Sequence, residues 1–276
     1  MKIFRFLSES GEASLGIYDK DGQRQARTIQ GNLFGDYRLT NEVAKVSRTL
    51  PLLTPCNIIA LGLNYRKHAD ETGIGYPEIP VIFSKATSSV IGTGEPILLP
   101  LAGPDKVDYE GELAIVIGTK IKNATSQEAL EAVLGYTCAN DVSARDWQME
   151  KQHNQWVRGK SFDTFCPLGP CLVTRDELPE PNNLRIRTVL NGSIMQDSFT
   201  ADMIFDVPTL ISSLSRSMTL LPGTVILTGT PEGVGFTRHP PVYLNKGDVI
   251  TVEIEGIGSL TNPVGVEQKG TPETSR

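Results

Sequence analysis

Glu110 and Glu112 are separated by one residue in the run Val107-Asp108-Tyr109-Glu110-Gly111-Glu112-Leu113-Ala114-Ile115-Val116-Ile117-Gly118. The run ends as a strand, with Leu113, Ile115 and Ile117 alternating with smaller apolar residues. Alternate strand residues share a face, so the two carboxylates point the same way, and Gly111 puts no side chain on the opposite face. Two carboxylates side by side at the mouth of an apolar strand repel each other. They require a divalent cation, a nearby base or a shared proton. Asp141 closes another apolar run, Leu134-Gly135-Tyr136-Thr137-Cys138-Ala139-Asn140. Ending a strand beside the first, it would bring in a third carboxylate. All-oxygen donors suit Mg2+ or Mn2+ better than Zn2+. The spacing by itself is equally compatible with surface charges at a strand edge.

His68 and Glu71 are three residues apart, so on a helix they share a face and can touch. A carboxylate on one imidazole nitrogen orients the ring and raises its basicity, which is a general-base arrangement for water or a carbon acid. A solvent-facing helix would show the same spacing. Lys160 lies amid Phe162, Phe165 and Pro167 and needs an anionic partner there: the metal carboxylates or a developing enolate. Otherwise it is a lysine snorkelling at a strand edge. Arg145 can hold a substrate carboxylate through two parallel hydrogen bonds, and Gln148 can donate to a carbonyl oxygen. A surface salt bridge and a solvated amide are their plain alternatives. Thr230 sits in Thr228-Gly229-Thr230-Pro231-Glu232-Gly233-Val234-Gly235, where small and φ-permissive residues let backbone N–H groups approach an anion. No Gly-Lys-Ser/Thr follows, so it is not a P-loop. Tyr65 is a further substrate contact to consider. His153 and His239 lack such context and read as loop or surface residues.

Four blocks in order resemble the fumarylacetoacetate hydrolase family: residues 108–113, residues 140–148, residues 159–170 and residues 227–235. The resemblance spans residues 56–265, and the 143–148 and 160–170 runs are similar to the small branch called fumarylacetoacetate hydrolase domain-containing proteins. It implies Glu110, Glu112 and Asp141 as metal ligands, with Asp108 left out despite sharing their parity. It implies His68 as the catalytic histidine with Glu71 behind it, because Leu61-Gly62-Leu63-Asn64-Tyr65 resembles the family's approach to that residue. It also favours a functional Lys160, a mixed β-sandwich roll with the metal at its open end, and a homodimer.

The chain's composition sets the frame for these residues. Its 276 residues, 39% hydrophobic and 21% charged, are those of an ordinary globular protein, and the net charge of -6 suggests neither a nucleic-acid nor a membrane partner. No apolar run approaches the roughly 20 residues of a membrane helix. The N-terminal apolar run is too short for a signal peptide, and residues 274–276 are not a peroxisomal tripeptide. Cys56, Cys138, Cys166 and Cys171 form no C-x-x-C pair and read as reduced and structural, which points to the cytoplasm, with an organelle matrix as the other option.

Residues 1–55 read as a small N-terminal β unit and residues 56–276 as the catalytic domain. The first contains strands over 2–6, 13–18 and 25–29, a turn at 19–22, and a short helix over 41–49 capped by Thr40. The second has strands over 57–62, 80–84, 171–173, 185–190, 225–228 and 249–254. A polar helix-compatible stretch over 63–73 is broken by Gly73, Gly75 and Pro77, glycines that would let it move as a lid. Helices are expected over 126–132 and 202–214, the latter interrupted by Pro208, with a hairpin turn at Asn191-Gly192 and a polar tail after Val266. Many strands and few helices, without regular alternation, indicate a β-rich α+β domain.

These residues would suit a Mg2+-dependent enzyme acting on small 2-oxo acids, with Mn2+ as a substitute. The cation stabilises an enolate, Lys160 adds to its field, and His68 moves a proton or activates water. Hydrolysis of an acylpyruvate carbon–carbon bond ranks first. Oxaloacetate decarboxylation, keto–enol tautomerisation or isomerisation of a bulkier enol at the same site is the alternative, and a non-catalytic, metal-stabilised binding protein the remote one.

Overall fold

The computed structural model describes residues 1–18 and 25–269. Strands β1 (Lys2–Ser8), β2 (Ala13–Tyr18), β3 (Gln25–Gly31) and β4 (Tyr37–Thr49) form an antiparallel sheet. β4 corrects the helix expected over 41–49. Val43, Ala44 and Lys45 pair with β3, while Val46, Arg48 and Thr49 pair with β1. The segment is rich in β-branched residues, and two neighbouring strands offer it partners that override a weak local helix preference. Thr40, expected as a cap, lies inside β4 with its hydroxyl 2.7 Å from that of Thr28. The turn expected at 19–22 falls outside the described residues.

β5 (Asn57–Gly62) leads into α1 (Arg66–Thr72), which stops where Gly73 takes φ 69°, a left-handed conformation that glycine adopts freely. Next come β6 (Val81–Lys85), β7 (Val90–Ile91), β8 (Ile97–Leu99), β9 (Val107–Asp108) and β10 (Gly111–Ile117). α2 (Ser126–Glu131) opens with a capping box between Thr125 and Glu128. It is followed by β11 (Val133–Asn140), β12 (Ser143–Ala144) and β13 (Cys166–Thr174). The Asn191-Gly192 turn joins β14 (Arg185–Leu190) to β15 (Ser193–Phe199) as the expected hairpin. α3 (Val207–Ser217) starts after Asp206, whose carboxylate accepts the Thr209 N–H. Pro208 therefore lies in its first turn, where no N–H is needed, and does not interrupt a helix begun at 202. β16 (Thr224–Leu227), β17 (Val249–Ile254) and β18 (Gly258–Val266) complete the described elements.

The larger sheet has the order β2-β3-β4-β1-β13-β11-β10-β16-β5-β6, with β7 added beside β13, and the second has the order β15-β14-β17-β18-β8. The β16–β5 pairing is parallel while its neighbours are antiparallel, so the larger sheet is mixed. β10 lies at its centre, buried throughout. On one face Leu113, Ile115 and Ile117 meet Leu210 and Leu214 of α3 and Ile186, Val252 and Ile254 of the second sheet. On the other, Ala114 and Val116 join Ile58, Ala60, Leu168, Val225 and Leu227. Each fully buried Leu or Ile contributes about 1.5–3 kcal/mol. A slip of one residue would exchange the two faces, so this burial sets the register that aims Glu112. Among the described residues no helix is long and apolar enough to cross a membrane. All four cysteines are free, with only Cys56 exposed.

Candidate active site

The antiparallel pairing of β10 with β11 brings the three acidic residues together. Gly111 pairs with Asn140, and the Asp141 N–H donates to Glu110 O at 2.8 Å. Asn140 Oδ1 in turn accepts the Glu110 N–H at 3.0 Å. One oxygen from each of Glu110, Glu112 and Asp141 then lies within 4.8 Å of the others, all three residues buried. Gly111, between the two glutamates, faces the second sheet. A Cβ there would sit 2.2 Å from Thr188 Oγ1, so glycine is required by close approach as well as by strand parity.

Lys160 Nζ is 2.7 Å from Asp141 Oδ2 and 2.9 Å from Glu110 Oε2. Lys85, which sequence reasoning missed, places Nζ 2.5 Å from Asp141 Oδ1. Its only signal in the chain is a lysine closing the strand Val81-Ile82-Phe83-Ser84-Lys85. Arg145 reaches Glu110 Oε1 at 2.6 Å and Asp108 Oδ2 at 2.9 Å, and it donates to Gln148 Oε1 at 3.0 Å. Its guanidinium is thus engaged by the protein's own carboxylates, and Gln148 keeps its NH2 as the donating end. Asp108 also accepts the N–H groups of Tyr109, Gly235 and Phe236. Asp108 braces Arg145 and is no part of the acidic triad.

Burial would raise the Glu110 pKa, but the Lys160 and Arg145 charges outweigh it, with His68 adding to them, and bring it to about 2. Glu112 goes the other way. Burial first, then the charges of Asp141 and Glu110, push it well above the usual carboxylate range. Its Oε2 accepts the Gly229 N–H at 2.6 Å, and its buried Oε1 has no hydrogen-bond partner among the described residues. An orphaned carboxylate oxygen beside two further oxygen donors is what a hard divalent cation would satisfy, so the residues fit Mg2+ or Mn2+. Burial would lower the Lys160 pKa, but Asp141 and Glu110 raise it, so Lys160 is a fixed positive charge.

α1 brings the expected pair together: His68 Nδ1 is 3.1 Å from Glu71 Oε2, with His68 8% exposed. Glu71 Oε1 accepts the Gly233 N–H at 3.1 Å and the Thr237 hydroxyl at 2.9 Å. Burial would raise the Glu71 pKa, but these bonds and His68 bring it below the ordinary value. The 228–235 segment does present backbone N–H groups to anions, and those anions are the protein's own: Glu112, Glu71 and Asp108. The Thr230 hydroxyl donates to Gly111 O at 3.0 Å and accepts from Gln196 Nε2 at 2.8 Å, bracing the glycine between the ligands. Gln196 itself accepts the Gly111 N–H at 3.0 Å, a contact the sequence does not signal. Tyr65 is fully buried, its pKa raised by burial and then by the Glu112 charge. His153 and His239 are exposed, as expected.

A sequence model described as Fumarylacetoacetate (FAA) hydrolase C-terminal matches residues 57–265. A mitochondrial oxaloacetate tautomerase of Xenopus laevis is 49% identical over 243 residues, covering 88% of this chain and 76% of that protein. A fumarylacetoacetate hydrolase domain-containing protein homologue of Dictyostelium discoideum is 48% identical over 221 residues, covering 77% of this chain and 72% of its own length. Among solved structures, a fumarylacetoacetate hydrolase from Exiguobacterium antarcticum superposes with a TM-score of 0.86 at 40% identity, covering 97% of this chain and 100% of that chain. A 5-carboxymethyl-2-hydroxymuconate delta-isomerase from Mycobacterium smegmatis does so with a TM-score of 0.84 at 41% identity and the same coverage.

Proposed function

The chain belongs to the fumarylacetoacetate hydrolase family, in the branch of the fumarylacetoacetate hydrolase domain-containing proteins, and we propose that it is a Mg2+- or Mn2+-dependent tautomerase of small 2-oxo acids, oxaloacetate first among them. The observation that carries this reading is the pairing of a buried three-carboxylate cluster with a histidine whose Nδ1 is held by an ionised glutamate. The oxaloacetate tautomerase relative favours proton transfer as the outcome.

With Glu71 accepting at Nδ1, the imidazole carries its proton there and presents Nε2 as the basic nitrogen. His68 then removes a proton from the carbon next to the 2-oxo group and returns it to the oxygen, or the reverse. A divalent cation held by Glu110, Glu112 and Asp141 would supply Lewis-acid stabilisation of the oxygen on which charge develops. Lys160 adds a fixed positive charge in a buried site, where it is weakly screened. Gln148 offers amide N–H groups to a substrate oxygen, while Thr230 holds Gly111 between the two glutamates and Tyr65 lies buried within reach of the Glu112 charge. Arg145 acts on substrate through the charges and dipoles it orders, Glu110 and Gln148, as well as by its own charge.

Hydrolysis of an acylpyruvate, first from sequence alone, becomes the second reading. The same dyad would activate water, and the fumarylacetoacetate hydrolase structure favours it. The test is a panel of oxaloacetate, acetylpyruvate and fumarylpyruvate with and without Mg2+. Tautomerase activity predicts faster loss of enol absorbance and faster deuterium exchange at C3 of oxaloacetate by NMR. Cleavage of the acylpyruvates without that exchange would select the hydrolase, pyruvate release from oxaloacetate the decarboxylase, and silence on all three a binding protein.

We further propose the division at residues 55 and 56, a homodimer, and a cytoplasmic or organelle-matrix location, the last supported by four free cysteines. Light scattering near twice the 30.1 kDa chain mass checks the dimer.

A further inference from the structure

The metal-binding carboxylates are shared with buried cations. Asp141 has Lys85 at one oxygen and Lys160 at the other. Glu110 has Arg145 at one oxygen and Lys160 at the other. Among the described residues Glu112 has no cation at either, and its Oε1 has no hydrogen-bond partner. The lysine side chains are 0% and 2% exposed, so neither ammonium reaches solvent.

We propose that Lys85 and Lys160 set the affinity of this site for its divalent cation, holding it weak enough to exchange, while Glu112 is the ligand that anchors the ion. This rests on the metal reading given above. An ammonium group and a divalent ion draw on the same carboxylate lone pairs and repel each other. Both effects persist in a buried site, beyond the reach of screening by salt. The same two lysines pair with Asp141 and Glu110 inside the fold, so the positive charge that partners the cluster also opposes its metal. Glu112 escapes the competition because, among the described residues, a backbone N–H, from Gly229, is its only hydrogen-bond donor.

The test is Mn2+ binding by the full chain, read as free Mn2+ by electron paramagnetic resonance and repeated with Mg2+ by calorimetry. Lys85→Met and Lys160→Met should each tighten Mn2+ by about ten-fold or more, the scale expected from removing one unscreened unit charge near a divalent ion. Glu112→Gln should lose binding. Lys122→Met, which removes an exposed lysine charge whose Nζ donates to Arg216 O, should bind as the wild type does. Lys85→Gln, which keeps a donor for Asp141 but no charge, serves if the methionine variants do not fold, with the same tightening expected. Unchanged or weaker binding in the folded lysine variants, with normal wild-type binding, overturns this inference alone. A wild type that binds neither ion overturns the metal reading and this inference together.

Discussion

His68 Nδ1 lies 3.1 Å from Glu71 Oε2, and the other oxygen of the same carboxylate is held by Gly233 N–H and the Thr237 hydroxyl. The histidine is therefore positioned through a glutamate anchored on a different loop. If the pair acts as one unit, losses of its members are strongly non-additive. His68→Ala should lower kcat by about 100- to 10,000-fold, the usual worth of a positioned general base. Glu71→Gln should cost less, and the double variant should be little worse than His68→Ala. Steady-state kinetics on the best substrate of the panel decides this. Near-wild-type turnover by His68→Ala would leave the metal and Lys160 as the catalytic elements.

The three acidic residues should separate in a combined stability and binding measurement. Glu112→Gln removes a carboxylate that burial and its neighbours disfavour when charged, so the metal-free protein should melt no lower than wild type while calorimetry shows metal binding lost. Asp141→Ala leaves Lys85 and Lys160 short of a buried partner. It should cost about 3–5 kcal/mol of stability as well as the metal, the usual effect of breaking a buried pair from one side. Equal melting temperatures for the two variants would contradict this division.

Gly111→Ala places a methyl group 2.2 Å from Thr188 Oγ1. Urea unfolding should show a loss of about 1–3 kcal/mol, the usual cost of overpacking. Adding Thr188→Ala should recover part of it. A fully stable single variant would show that the two sheets can separate locally without cost.

The Glu71 pKa is lower in the folded protein than its ordinary value of 4.5. Its bonds thus stabilise the fold fully above about pH 4.5, and that contribution is lost as pH falls through the lower folded-state value. Melting temperature followed from pH 6 down to pH 3 should drop more steeply in wild type than in Glu71→Gln. Parallel curves would show that Glu71 gains nothing from His68, Gly233 and Thr237.

Features confined to one element were legible in the chain itself. Strand parity put Glu110 and Glu112 on one side, and helical spacing joined His68 to Glu71. Local periodicity encodes such relations because backbone geometry repeats every 2 or about 3.6 residues. Residues whose partners are remote in sequence were decided only by tertiary structure. Lys85 reaches Asp141 because the sheet runs β11-β10-β16-β5-β6, an order that no local pattern states. Arg145 finds Asp108 and Glu110 through the β9–β12 pairing, and β4 is a strand because β3 and β1 flank it. The glycine-rich segment announced an affinity for anions, but which anions it would meet depended on where the fold set Glu71, Glu112 and Asp108. Sheet order and burial, summed over many distant contacts, choose among partners that composition and spacing leave equivalent.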